Sequence, residues 1–354
     1  MSRFLSDLYA SLKEYVPGEQ PQDKKYVKLN TNESPFPPSP GVIAAVTSEE
    51  VGKLCLYSDP ESKILKQKLA ENYNLSSENV FVANGSDDIL NFAFMAFARE
   101  NGAAFPDISY GFYPVFADLY NINADIIPLE EDFSIDIKKY LSCNKMVVIA
   151  NPNAPTGKVI PKDEIEEIIK SNPGNVVLID EAYVDFGADS VVELVKKYDN
   201  LLVVQTYSKS RSMAGARLGY AFANAEIIKD LEKIKYSTNP YNLNRLTQLM
   251  GVKAIEEQDY YDNNCRIIAE NREFTVNELQ KIGFTVIPSK ANFIFAKHES
   301  ISGEKIYLKL KDKGVLIRHF TSERIKDHNR ITIGTKEQMQ VLIAKLNEII
   351  EEEA

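Results

Sequence analysis

The chain is predicted to adopt an α/β fold, with a large domain built on a mostly parallel central sheet flanked by helices and a smaller α+β domain at the C-terminal end. Three observations carry this. Short apolar runs alternate with helical patterns through the middle of the chain, as expected for strands buried on both faces. Each notable polar motif falls where such a run ends, and parallel sheets hold their sites at the carboxyl ends of their strands. Near residue 241 the character changes to a long charged helical stretch followed by short strands.

Taken in order, NTNESPFPPSP (30–40) has four prolines and reads as an extended connection before a helix that starts near Pro40. NVFVAN (79–84) reads as a strand and SDDILNFAFMAFARE (86–100) as a helix. KMVVIAN (145–151) is a strand, PKDEIEEIIKS (161–171) a helix, and NVVLIDEAY (175–183) and NLLVVQTYSK (200–209) are strands running into loops. Residues 241–283 read as one long helical stretch. FTVIP, NFIFAK, VLIR and RITIG then read as strands, accompanied by helical EKIYLKLKDKG and KEQMQVLIAKLNEIIEEE. The expected division is a segment 1–32 that closes over the active site, a large domain 33–262 and a small domain 263–354.

Composition narrows the function. The net charge of −10 argues against nucleic acid or an anionic membrane as partner, since both need a basic face. No apolar run approaches a membrane span, and the first residues lack a signal-peptide core. Three scattered cysteines without a CxxC pair suit reduced thiols in a cytoplasmic protein. The three histidines show no metal-ligand spacing, so no metal is expected.

Four motifs carry chemistry. In ANGSDDIL, Ser86 and Asp87 open a helix behind Gly85, and a helix N-terminus suits a phosphate; Gly-Ser-Asp is also an ordinary helix cap. NPNAPTGK resembles a nucleotide-binding P-loop only in its last glycine and lysine, because Pro152 stands where the first glycine belongs. Its rigid turn instead presents Asn153 as an inward donor, or serves only as a turn. In IDEAYVDF, Asp180 ends an apolar run and is partly desolvated, which calls for a cationic or protonated partner. In TYSKSRSMAGARLGY, Lys209 lies between Ser208 and Ser210, with Arg217 as a second cation. A carboxylate and a lysine at adjacent strand ends, with anion donors at Ser86, Ser208 and Arg217, suit a ligand bearing a phosphate, a protonated ring nitrogen and an aldehyde. Pyridoxal 5′-phosphate has all three.

The ordered motifs LNTNESPFPP, LYSDPES, NGSDDIL, PDISYGFY, NPNAPTG, DEAYVDF, TYSKSRSMAGARLGY, LIRHF and RITIGT resemble the fold-type I pyridoxal-phosphate aminotransferases, and among them the histidinol-phosphate aminotransferases. The resemblance spans nearly the whole chain. It implies that Lys209 bonds the cofactor aldehyde, that Asp180 partners its ring nitrogen and that Tyr183 bonds its 3′-oxygen. Ser86, Asp87, Ser208 and Arg217 match the phosphate anchors, and Tyr110 the stacking aromatic. Tyr57 matches a residue given to the neighbouring subunit's phosphate site, which implies a homodimer. Arg330 matches the arginine for the substrate carboxylate, Arg318 a second arginine for the substrate phosphate, and Tyr15 a tyrosine closing over the substrate. The family commonly has asparagine directly before PTG. This chain has Ala154, so the usual 3′-oxygen bond must come from Asn153, the preferred reading, or be missing. The implied reaction exchanges an amine between histidinol phosphate and 2-oxoglutarate, giving glutamate, in histidine biosynthesis. An aromatic amino-acid aminotransferase, with Tyr15, Tyr110 and Tyr113 lining its pocket, and a decarboxylase of a phosphorylated amino acid are the alternatives. A non-catalytic regulator is disfavoured by the presence of Lys209 and the lack of a basic helix-turn-helix.

Overall fold

The computed structural model describes residues 2–353. Its central sheet has seven strands in the spatial order Val80–Ala83, Gly219–Ala223, Leu201–Thr206, Val177–Asp180, Met146–Ala150, Ala103–Pro106 and Ala124–Ile127. Gly219–Ala223 pairs antiparallel with both its neighbours, and the remaining pairs are parallel. Every strand but the edge strand Ala124–Ile127 is buried throughout. Successive side chains alternate between two cores. Val147, Ile149, Ile179 and Val203 enter one, and Val148, Leu178, Leu202 and Val204 enter the other. The register sets Asp180 beside Ala150 and Val204, so the carboxyl ends of three strands lie level.

The smaller sheet is antiparallel, in the order Arg318–His319, Asn329–Thr332, Phe293–His298 and Phe284–Ile287. The helices Gly303–Asp312 and Lys336–Glu353 pack their apolar faces into its core through Ile306, Leu310, Met339, Leu342 and Leu346.

Several expectations are corrected. The stretch 241–283 is two helices, Arg245–Glu256 and Gln258–Lys281, broken at Glu257, whose backbone leaves helical geometry at ψ 40°. The second joins the domains: Tyr261 lies in a large-domain core, and Ile268 and Leu279 lie in the small-domain core. The helix expected over 86–100 is Ser86–Phe97. VLIR is not one strand. Val315–Leu316 pairs in parallel with Val27–Lys28, while Arg318–His319 turns to the small sheet. The strand Gly219–Ala223 and the helix Ala225–Thr238 complete the large domain.

Candidate active site

The carboxyl ends of the parallel strands open into two adjoining cavities. The inner one, about 160 Å³, is lined by Ser86, Asp87, Tyr110, Asp180, Tyr183, Thr206, Ser208, Lys209 and Arg217, among others. The outer one, about 600 Å³, is lined by Tyr15, Arg318, Phe320, Arg330 and the loop around Tyr110. Thr31, Tyr110, Ala154, Tyr183 and Lys209 line both. They form the neck between the chambers.

The inner chamber begins where Val80–Ala83 ends. Gly85 takes φ +90°, and the helix Ser86–Phe97 starts without a side-chain cap. Uncapped N–H groups and the helix dipole make that end attractive to an anion. Arg217, itself in left-handed backbone at φ 54°, lies across Gly85: a Cβ there would meet its Nη2 at 2.7 Å. A Cβ on Gly219 would lie 2.4 Å from Ser86 N, so only glycine lets that strand run so near the helix start. Asp87 holds two of its neighbours, accepting from Tyr110 Oη at 2.6 Å and from Arg217 Nη2 at 3.1 Å.

At the chamber floor Asp180 is 5% exposed. Its Oδ2 accepts from Tyr113 Oη at 2.8 Å and its Oδ1 from Ala182 N at 3.1 Å. Burial pushes its carboxyl up to about 6, against the lowering effect of those two donors and of the Lys209 ammonium. Lys209 Nζ donates to Thr31 O at 3.2 Å and sits 5.7 Å from the centre of the Tyr183 ring. Below this layer Glu181 is buried against Ser190, Val191 and Gln205, and burial pushes it up to about 7.

The outer chamber is cationic at its far wall. Arg330 donates to Asn30 O at 3.0 Å, faces Phe293 and Phe320, and leaves its Nε without a partner. Arg318 donates to Val16 O at 2.9 Å and Pro17 O at 3.1 Å. Neither arginine has a carboxylate partner among the described residues. Tyr15 stacks on Phe112 at 4.2 Å and leans towards Tyr110.

Most of the residues singled out in the sequence thus line one connected space. Two do not. Asn153 is spent on structure: its amide donates to Ile108 O and Thr156 Oγ1, and its carbonyl accepts from Ser109 Oγ. Ala154 faces both chambers in its place. Tyr57 lies outside both cavities, 78% exposed and stacked on Tyr241. The sequence reading missed Thr31, Asn32 and Thr206 at the site. The alternative aromatic reading set Tyr113 in a substrate pocket with Tyr15 and Tyr110, whereas its side chain is wholly buried and donates to Asp180. Nothing but its place in SYGFY marked it out.

The residues fit an anionic, aldehyde-bearing ring cofactor. An uncapped helix end and Arg217 would take a phosphate, Asp180 would hold a protonated ring nitrogen, and Lys209 stands at the neck to bind an aldehyde. Fold and site therefore define a pyridoxal-phosphate enzyme of the doubly layered α/β type. The family of class I and II aminotransferases matches residues 24–346, and the chain belongs to that family, whose cofactor is pyridoxal 5′-phosphate. It is 50% identical to a histidinol-phosphate aminotransferase of Brachyspira hyodysenteriae, over 99% of both chains. It is 48% identical to the one from Clostridium acetobutylicum, over 99% of this chain and 100% of the relative. Among solved structures, histidinol-phosphate aminotransferase from Sinorhizobium meliloti, in complex with pyridoxal-5′-phosphate, superposes with a TM-score of 0.90 at 24% identity, over 100% of this chain and 99% of that one. An L-threonine-O-3-phosphate decarboxylase from Porphyromonas gingivalis has the same fold, with a TM-score of 0.82 at 21% identity, over 92% of this chain and 99% of that one.

Proposed function

We propose that this enzyme transfers the amine of histidinol phosphate to 2-oxoglutarate, in the cytoplasm and as a homodimer. The observation that carries the reading is a pair of guanidinium groups, Arg318 and Arg330, that line the same chamber as Lys209 and have no carboxylate partner among the described residues. Two cations there suit a substrate with an anion remote from its amine, whether a phosphate ester or a dicarboxylate, through bidentate hydrogen bonds. The fold alone does not separate this from the decarboxylase reading, since both kinds of enzyme superpose. Near-half identity over the full chain to histidinol-phosphate aminotransferases favours the transfer.

The cofactor supplies an electron sink for the pair released when the substrate carbon gives up its proton. The chain supplies the rest. Asp180, ionised at neutral pH, would hold a protonated ring nitrogen. Lys209 Nζ, once its amine is free, would take the proton from the amine-bearing carbon of the substrate as base and would then give a proton back as acid. Tyr183 would donate to the 3′-oxygen. Ser86, Ser208 and Arg217 would hold the phosphate end, Tyr110 would stack on the ring, and Arg330 and Arg318 would orient the substrate beneath Tyr15.

The dimer reading is supported by Tyr57, which lies outside both cavities, stacked on Tyr241, in an exposed apolar stretch with Val51, Leu54 and Leu56. Its hydroxyl would complete the phosphate site of a second copy. Borohydride reduction and digestion should place the pyridoxyl label on the peptide containing Lys209. Side-by-side rates should favour histidinol phosphate over phenylalanine and tyrosine, without release of carbon dioxide. A label elsewhere, or a preference for the aromatic amino acids, overturns the reading.

A further inference from the structure

We infer that Asn32 is a positioning residue: its carboxamide fixes the direction of the Tyr183 hydroxyl and so replaces, from the N-terminal segment, what the loop at Ala154 does not supply. This rests on the reading of Tyr183 as donor to the cofactor's 3′-oxygen.

Asn32 is 1% exposed, in left-handed backbone at φ 57°, a conformation asparagine tolerates better than most residues. Four hydrogen bonds hold it. Its backbone N donates to Thr332 Oγ1 at 2.9 Å, and its backbone O accepts from Asn292 Nδ2 at 2.9 Å. Thr332 Oγ1 lies 3.0 Å from its Oδ1, and its Nδ2 lies 3.0 Å from Tyr183 Oη.

The order of protons follows. The Thr332 hydroxyl accepts from Asn32 N, so its own proton is free to go to Asn32 Oδ1. That contact sets the carboxamide with Nδ2 towards Tyr183. The phenol oxygen therefore accepts from Asn32, and its own proton must be donated elsewhere. Tyr183 lines both chambers, and its hydroxyl has no other partner among the described residues. The proton is left to point into the cavity, at an anionic oxygen. On the opposite loop Ala154 offers a methyl group and the Asn153 amide is already committed. One directed phenol is then the donor this chain has for that oxygen.

Hydrogen bonding to a charged form favours that form. A donor on the 3′-oxygen stabilises its anion once the linkage to Lys209 loses its proton, and so lowers the midpoint of the visible-band pH titration of the cofactor-loaded protein. Tyr183→Phe should raise that midpoint by about one pH unit, the size of one charge-assisted hydrogen bond. Asn32→Gly keeps the left-handed backbone without the carboxamide, and should raise it by roughly half as much or more. Thr332→Val keeps the side-chain shape but removes both bonds that Thr332 Oγ1 makes to Asn32, while the bond from Asn292 remains, and frees the carboxamide to turn over and draw the phenol proton away. It should shift the midpoint in the same direction, and it guards against a folding defect in the glycine variant. If Tyr183→Phe moves the midpoint and neither other variant does, the role of Asn32 is overturned while that of Tyr183 stands. If Tyr183→Phe itself leaves the midpoint unmoved, the reading of Tyr183 falls and the inference with it.

Discussion

Replacing Asp180 with asparagine should stabilise the cofactor-free protein near neutral pH while crippling the enzyme. Asp180 is 5% exposed, and burial raises its carboxyl from an ordinary 3.8 to about 6. The unfolded chain releases this proton at lower pH than the folded one, so stability falls as pH rises from 3.8 and levels off above 6. Above that level the ionised carboxylate costs about 3 kcal/mol. Asparagine avoids this, but it cannot accept from both Tyr113 Oη and Ala182 N, which returns about 1 kcal/mol. The net gain is about 2 kcal/mol at pH 7.5. Near pH 4.5 the charge penalty has shrunk to about 1 kcal/mol, and the two effects cancel. For a chain of 354 residues the gain at pH 7.5 corresponds to a melting shift of about 3 °C. Scanning calorimetry of both apoproteins at the two pH values tests it, and turnover of the loaded variant should fall by orders of magnitude. An asparagine variant that melts lower than the parent at pH 7.5, or equally higher at both pH values, would refute the argument.

Other substitutions divide the site further. Arg330→Ala should lower kcat/KM about 100- to 1,000-fold for both substrates, read in steady-state assays of each half-reaction. Arg318→Ala should raise KM for the phosphate ester more than for glutamate and, by releasing Val16 O and Pro17 O, speed proteolysis of the N-terminal segment. Tyr113→Phe removes a donor from Asp180 and should slow turnover about tenfold with cofactor still bound, as one lost hydrogen bond to a charged group predicts. Mixing Lys209→Ala with Tyr57→Ala subunits should restore activity that neither variant has alone, with about one site in four native after random reassortment. Homogeneous inactivity of the mixture would place Tyr57 outside the neighbour's site.

How much of this was legible beforehand depended on range. The strands that lead into Asn84, Asn151 and Asp180 are short apolar runs buried on both faces, and local pattern found them even where, as for Val80–Ala83 beside Gly219–Ala223, the neighbour in the sheet is distant in sequence. The inner-chamber residues Ser86, Asp180 and Lys209 were legible for the same reason, since each closes such a run. Asn153 and Ala154 could not be told apart in the sequence because a turn does not reveal which of two adjacent side chains faces inward. The carboxamide of Asn153 is drawn away by Ile108, Thr156 and Ser109, partners no local pattern announces. Residues 315–318 looked like one strand because the switch between two sheets at Ile317 needs Val27–Lys28, far upstream, as partner. Asn32 and Tyr113 were unreadable for a related reason: their importance lies wholly in what they touch.

The parallel pairing of Val27–Lys28 with Val315–Leu316 has a consequence for biosynthesis. Glu19 bonds Lys311, 292 residues downstream, so at 5–20 residues per second it waits about 15–60 s on the ribosome for its partner. During that interval the strap bearing Tyr15 has Phe112 to stack on but lacks Lys311 and Arg318, the residues that tie it to the small domain. The roof of the substrate chamber is therefore pinned only after Lys311 and Arg318 have been made, later than every strand of the sheet that carries Asp180.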